Sequence, residues 1–396
     1  MLTNEIIRLQ AEAQQDYVIE SRRTIHRFAE VSGKEFKTSA FIEEEIKKAG
    51  LPYEKAGDTG WIAILDTGKP GSRIALRADI DALLVPEEPN NLAGPRVVVS
   101  DDPHTSHACG HDAHTAMLLG AMRVLAEQRD NLTGVIYFCF EEGEEDGRGI
   151  LAMLNQLSAH GVDVCWGIHV YAGLESGKIC VSAGPRMAGA AGVGIKVIGR
   201  GGHGSQPQNT TDPVLAAAQM IVMMQQIVAR RVDPMEMAVF SLGSIHGGDA
   251  PNVIPAEVKF GGVTRAYSES VRSVIKEQVQ AIAKGIEAAS GNTVHIHYAD
   301  GYPSAFNDKE LMDLAADAVR KELGEDAVVP MPDPMPFSED FSFYGKLGGI
   351  PSAYLMLYAG HEGELAPLHN PKCAVREDVM PAGIRTLVSI ALEFLK

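Results

Sequence analysis

The chain has 396 residues, 45% of them hydrophobic and 22% charged, with a formal net charge of −17. That length exceeds one ordinary core and suffices for two domains, and the composition is globular rather than disordered. So acidic a balance argues against nucleic acid and anionic membranes as partners, and an anionic substrate must be attracted locally, by metal ions or a placed arginine. The start, Met1-Leu2-Thr3-Asn4-Glu5, lacks the build of a signal peptide, and no run approaches bilayer-crossing length. Five cysteines (Cys109, Cys139, Cys165, Cys180 and Cys373) at irregular spacing are no disulfide framework, so a cytoplasmic location is expected.

Residues 4–30 read as an amphipathic helix and 36–49 as a second, stopped by Gly50. Trp61–Asp66 and Arg73–Ala78 are strand-like, with Lys69-Pro70-Gly71 as the turn between them. A Pro- and Asn-rich loop leads into His107-Ala108-Cys109-Gly110-His111-Asp112-Ala113-His114, which opens a helix at Thr115–Gln128. Val135–Phe140 is a buried strand running into Glu141-Glu142-Gly143-Glu144-Glu145; residues 148–158 are helical and Val162–His169 is another buried strand. Such alternation predicts an α/β fold: a mixed, largely parallel sheet flanked by helices, with ligands gathering beyond the strands' carboxyl ends.

Past Gly184-Pro185 the texture changes. Strands at Val193–Ile198, Ala238–Ile245, Glu257–Ala266 and Val294–Tyr298 alternate with helices from Asp212-Pro213 to Arg231 and over Ser268–Ala289. That order predicts a ferredoxin-like α+β unit, a small sheet with two helices on one face. Met220, Met223 and Met224 form a stripe suited to a core or a dimer contact. A helix at 309–323, a strand at Ala353–Leu357 and a helix at 377–395 then return to the first texture. The reading is one domain of 1–185 and 302–396, interrupted by an inserted domain at 186–301.

Thiolate, imidazole and carboxylate are the donors of zinc and its borderline neighbours. A lone Cys/His pair at a helix start is more often structural than ligating. Here Cys109 and His111 flank a glycine that lets both side chains converge, and three further sources of donors follow. Asp112 is expected to orient His111; His104, His107 and His114 are read as structural or supporting. The acidic turn follows a strand, and adjacent Glu144 and Glu145 suit a division of labour between metal ligand and general base. His169 ends a buried strand, and His369 sits in Leu368-His369-Asn370-Pro371. Cys109, His111, Glu145, His169 and His369 exceed one tetrahedral site and suit two metals with a bridging ligand.

The chain resembles the dinuclear-metal amidohydrolases and peptidases of the aminoacylase, hippurate hydrolase, auxin-conjugate hydrolase and bacterial carboxypeptidase family, in its Cys-Gly-His-Asp branch. The resemblance runs through Arg77-Ala78-Asp79-Ile80-Asp81-Ala82-Leu83, His107–His114, Gly167-Ile168-His169 and Gly201-Gly202-His203-Gly204. It continues through Asn252-Val253-Ile254-Pro255, Glu339-Asp340-Phe341 and His369-Asn370-Pro371. It implies those five ligands with Glu144 as base, and two divalent ions, zinc or manganese before cobalt or nickel. It also implies an inserted domain that is lid and homodimer contact. That domain's His203 would serve the partner subunit's active site, and Asn252 and Arg265 would hold substrate. The family's Gln-Pro-Ala-Glu-Glu is here Glu141-Glu142-Gly143-Glu144-Glu145, with two extra charges, and its Gly-rich approach to Glu339 is Pro336-Phe337-Ser338.

The expected activity is hydrolysis of the amide bond of N-acyl amino acids or small peptide-like conjugates. Two other readings stay open: a metal-independent thiol hydrolase with Cys109 as nucleophile, and a non-catalytic relative that binds such conjugates.

Overall fold

The computed structural model describes residues 4–171, 176–330, 334–361 and 366–395. The chain divides into two compact units: Met1–Gly184 with Phe306–Pro332 and Phe343–Lys396, and Pro185–Ala305 with Asp333–Ser342.

Four parallel strands form the centre of the first unit's sheet, in the order Val135–Glu141, Arg73–Asp79, Val164–Tyr171 and Ser352–Tyr358. They are apolar nearly throughout and buried, as parallel strands covered on both faces must be. Gly60–Asp66 and Tyr53–Ala56 extend one side antiparallel. Ile179–Cys180 and Val328–Val329 close the other; strands of two residues carry no readable alternation, and the sequence reading passed over them.

Register makes the carboxyl ends level. Asp79 lies opposite Glu141, Arg77 opposite Gly167, and His169 opposite Met356. Four segments that end in polar residues therefore finish at one edge.

The helix after the Cys-Gly-His-Asp motif spans His111–Glu127, starting four residues before the expected Thr115. Its cap is Gly110 in the left-handed region, φ 87°, not one of the usual Ser, Thr, Asp or Asn signals. It is buried on almost every side, against Gln15–Phe28 and Met380–Phe394, which is why it is apolar all round. The expected helix at 4–30 is two helices, Asn4–Ala13 and Gln15–Phe28, interrupted at Gln14.

The second unit has a four-stranded antiparallel sheet in the order Ala238–His246, Glu257–Ala266, Gly189–Ile198, Thr293–Asp300. Helices Pro213–Arg231 and Glu269–Ser290 pack on Val193, Ile195, Val197, Val258 and Phe260. In chain order this is β-α-β-β-α-β, the split β-α-β connectivity. Asp212 Oδ1 caps the first helix by accepting from the N–H groups of Val214 (2.8 Å) and Leu215 (3.2 Å). That helix, by length and composition alone, is apolar enough to cross a bilayer, which amends the expectation that no run qualifies. Ala216, Ala217, Met220, Met224 and Ile227 are its buried face. Residues 333–342, assigned in the sequence reading to the 302–396 segment, group with this unit; Met335 and Ala188 share a backbone bond (3.1 Å), and Met335 N–H reaches Arg186 (2.8 Å).

Beneath the first unit's strand ends, Arg77 is buried. Its Nη1 donates to Asp79 (2.7 Å) and its Nε to Glu141 (3.0 Å), while the Tyr344 hydroxyl also donates to Glu141 (2.6 Å). Removing one partner of such a cluster strands buried charge, at about 3–5 kcal/mol. Arg77→Met should therefore lower the denaturant midpoint of the first unit sharply, and adding Glu141→Gln should recover part of the loss. A wild-type midpoint in Arg77→Met would show that the ion pairs do not hold these strand ends.

Candidate metal centre

Cys109, His111, Glu144, Glu145, His169 and His369 come together at the first unit's strand ends. Gly110 makes this possible. A Cβ there would stand 2.3 Å from Val170 Cγ2, so only glycine lets the helix start come so near the strand end. Cys109 Sγ lies 3.5 Å from His169 Nε2 as a result. His369 has φ 61°, unusual outside glycine, and its N–H bonds to Ala108 O (2.9 Å), which fixes it beside Cys109.

The ring nitrogens of His169 and His111 have assignable roles. His169 Nδ1 donates to Val170 O (2.5 Å), leaving Nε2 to face Cys109. His111 Nδ1 bonds to Asp81 Oδ1 (3.0 Å), leaving Nε2 buried with no hydrogen bond among the described residues, 3.9 Å from Glu145 Oε1. Such Nδ1 partners orient ligating imidazoles. Asp81 Oδ2 also accepts from Glu145 N–H (3.1 Å) and Ser32 Oγ (2.7 Å), so one carboxylate positions two donors.

Asp112, expected to orient His111, does not. Adjacent helical residues diverge, and its Oδ2 is taken by Arg22 Nε (2.6 Å) and His26 Nδ1 (2.7 Å). Burial opposes the Asp112 charge, but Arg22 and His26 hold its pKa far below the carboxylate range. His114 supports from behind: Nε2 accepts Val170 N–H (2.8 Å), so the proton sits on Nδ1 and is donated to Asp79 (2.6 Å). His107 is buried, with neither ring nitrogen hydrogen-bonded, and burial pushes its pKa down to about 4. His104 is exposed in the loop before it.

The acidic turn sorts its carboxylates. Glu141 points back to Arg77 and Tyr344. Glu142 accepts from Thr59 Oγ1 (2.7 Å) and Gly60 N–H (3.0 Å). Gly143, φ 61°, then turns the chain so that Glu144 and Glu145 face the cluster from a short 3-10 turn. The two charges added to the family motif are thereby kept away from the donor set.

The ligating atoms of Cys109, His111 and His169 lie within 4.8 Å of one another, as do those of Cys109, Glu145 and His369, and those of His111, Glu144 and Glu145. Cys109, His111 and Glu145 each belong to two of these sets, so the three sets overlap in one cluster. Among the described residues Glu145 Oε1 has no hydrogen-bond partner; it is buried, 3.3 Å from His369 Nε2. Two orphaned buried donors fit a cation, which would satisfy both. Electrostatics agree. Burial would depress the His111 pKa, but Asp79 and Cys109 outweigh it and hold it well above the imidazole range, so the cluster favours positive charge there. Burial pushes the Cys109 thiol well above its usual range, with Glu145 and Glu144 adding to this against the pull of His111. A thiolate there needs a divalent cation, and the same shift disfavours Cys109 as a metal-free nucleophile.

In the second unit, His203 lies on the short strand Gly202–His203 paired with Val253–Ile254, and Gly204 N–H bonds to Asn252 O (2.9 Å), so His203 and Asn252 are neighbours on an exposed turn. Arg265 stands apart on Glu257–Ala266, facing away from buried Thr264 and Ala266. The sequence reading gave no role to Asp79 and Asp81, although both follow a strand at its carboxyl end, the criterion that singled out the acidic turn.

A family model described as peptidase family M20/M25/M40 matches residues 75–393. Thermostable carboxypeptidase 1 of Saccharolobus solfataricus is 35% identical over 387 residues, 96% of each chain. The N-acyl-L-amino acid amidohydrolase of Geobacillus stearothermophilus is 38% identical, over 78% of this chain and 82% of that one. A Bacillus subtilis structure described as a dinuclear metal binding peptidase from the M20 family superposes with TM-score 0.83 and 28% identity, covering 97% of this chain and 99% of that one. The protein is a metal-dependent amide hydrolase and belongs to peptidase family M20/M25/M40.

Proposed function

We propose that the protein cleaves N-acylated amino acids, or small peptide-like amides with a free carboxylate, into an acid and an amino acid. The observation that carries this reading is three overlapping donor sets, any two of which share a residue (Cys109, His111 or Glu145), with Glu144 in one of them. Cys109, His111, Glu145, His169 and His369 would hold two divalent ions, zinc or manganese before cobalt or nickel; the thiolate and imidazoles suit zinc, and the carboxylate suits manganese. When bound, the ions supply a water acidified toward neutrality and polarise the carbonyl.

Glu144 takes the proton of the attacking water as the C–O bond forms, and returns it to the amine nitrogen as the C–N bond breaks. His203 donates to the carbonyl oxygen as it gains charge. Arg265 grips the substrate carboxylate with its planar fork, and Asn252 the amide. The second unit acts as lid and dimer contact, with His203 serving the partner subunit's site. Leu215, Val222 and Met223, exposed on helix Pro213–Arg231, support an apolar contact there. Five free, buried cysteines support a reducing, cytoplasmic setting.

Glu144→Gln should keep its full metal content by elemental analysis while kcat falls roughly 10³-fold. Turnover near wild type would remove Glu144 as the base. Co-expressed His203→Ala and Glu144→Gln chains should regain activity that neither has alone, because a mixed dimer assembles one complete site. Mixed chains no more active than the separate variants would refute the exchange between subunits.

A further inference from the structure

The second unit carries an unassigned cluster of basic side chains, on the sheet face opposite its helices. Cross-strand register sets His246 opposite Lys259, Lys259 opposite Lys196, and Lys196 opposite His295. One row across all four strands is thus basic from edge to edge, about 14 Å at the usual strand spacing. In the next row Ser244 faces Gly261, Gly261 faces Gly194, and Gly194 faces His297. These two rows line a groove of 390 Å³.

Two features mark the groove as more than a solvated surface. Like charges directly opposite in a sheet are destabilising, yet Lys196 faces Lys259 and one carboxylate serves both, Glu257 at 2.6 and 3.1 Å. Among the described residues no carboxylate pairs with His246, His295 or His297. The second feature is Gly194. Its φ is not in the left-handed region and a Cβ there would meet nothing closer than 3.9 Å, so the fold does not require glycine. Glycine within a strand weakens it and often marks the close approach of a ligand. Here it leaves a bare floor beside the lysines, with His297 as one wall.

We propose that this groove binds a small anion of the phosphate class. Lys196 and Lys259, each with N–H donors beyond the one that meets Glu257, take its charged oxygens, and His295 and His297 donate from one side. A long polyanion is disfavoured by the groove's size and by the chain's net charge of −17. Nothing in this inference depends on the hydrolytic reaction.

Pyrophosphate titrated into the zinc-loaded holoenzyme, with histidine ring C2–H resonances followed by NMR, tests it. The expected result is saturable movement of the His246, His295 and His297 signals with one midpoint, and a pyrophosphate-dependent rise in melting temperature. Lys196→Gln/Lys259→Gln should shift that midpoint by about tenfold or more, equivalent to roughly 1.4 kcal/mol. Gly194→Val, which fills the floor and leaves every charge in place, should weaken binding as well. Movement identical in wild type and both variants would overturn the proposal. So would movement confined to His111, His169 and His369, which places pyrophosphate at the metal centre, or tighter binding of a single-stranded oligonucleotide than of pyrophosphate.

Discussion

A buried crowd of anionic and thiol donors at the carboxyl ends of parallel strands can persist only if each negative charge finds a positive partner, and this balance organises the first unit. Its own cations are spent on the outer carboxylates. Arg77 serves Asp79 and Glu141, while Arg22 and His26 serve Asp112. Among the described residues, His111 Nε2 and Glu145 Oε1 remain inside without hydrogen bonds, next to a thiol whose pKa burial pushes up. A buried donor set left unsatisfied by protein is costly unless metal ions complete it.

The same balance explains the unusual acidic turn. Five residues bearing four carboxylates would repel one another if all faced one cavity. Glu141, two positions beyond the register partner of Arg77, accepts from its guanidinium, the Thr59–Gly60 backbone receives Glu142, and the left-handed Gly143 reverses direction before Glu144. The departure from the family motif therefore changes what lies under the site, and leaves Glu144 and Glu145 facing the cluster.

What the sequence made legible followed from chemistry placed at strand ends. Cys109, the two glutamates and the histidines could be recognised because their residue types recur where α/β sheets collect ligands, and the long apolar runs predicted the central strands. Contacts between residues distant in sequence were hidden. Asp112, next to His111 in the chain, was expected to orient it, whereas helix geometry turns Asp112 toward Arg22 and His26 and leaves His111 to Asp81. The early start of helix His111–Glu127 was missed because a left-handed glycine, not a polar cap, begins it. Two-residue edge strands and the cross-strand row from His246 to His295 depend on register, which no local pattern encodes.

The central proposal is that the Cys109 thiolate would be a ligand in a cluster that holds two metal ions. X-ray absorption at the metal edge of protein reconstituted with two equivalents of zinc tests it most directly. The account predicts sulfur scattering at about 2.3 Å from zinc, a zinc–zinc vector of roughly 3.5–4 Å, and loss of the sulfur signal in Cys109→Ser. A spectrum with nitrogen and oxygen neighbours only, unchanged by that substitution, would contradict it.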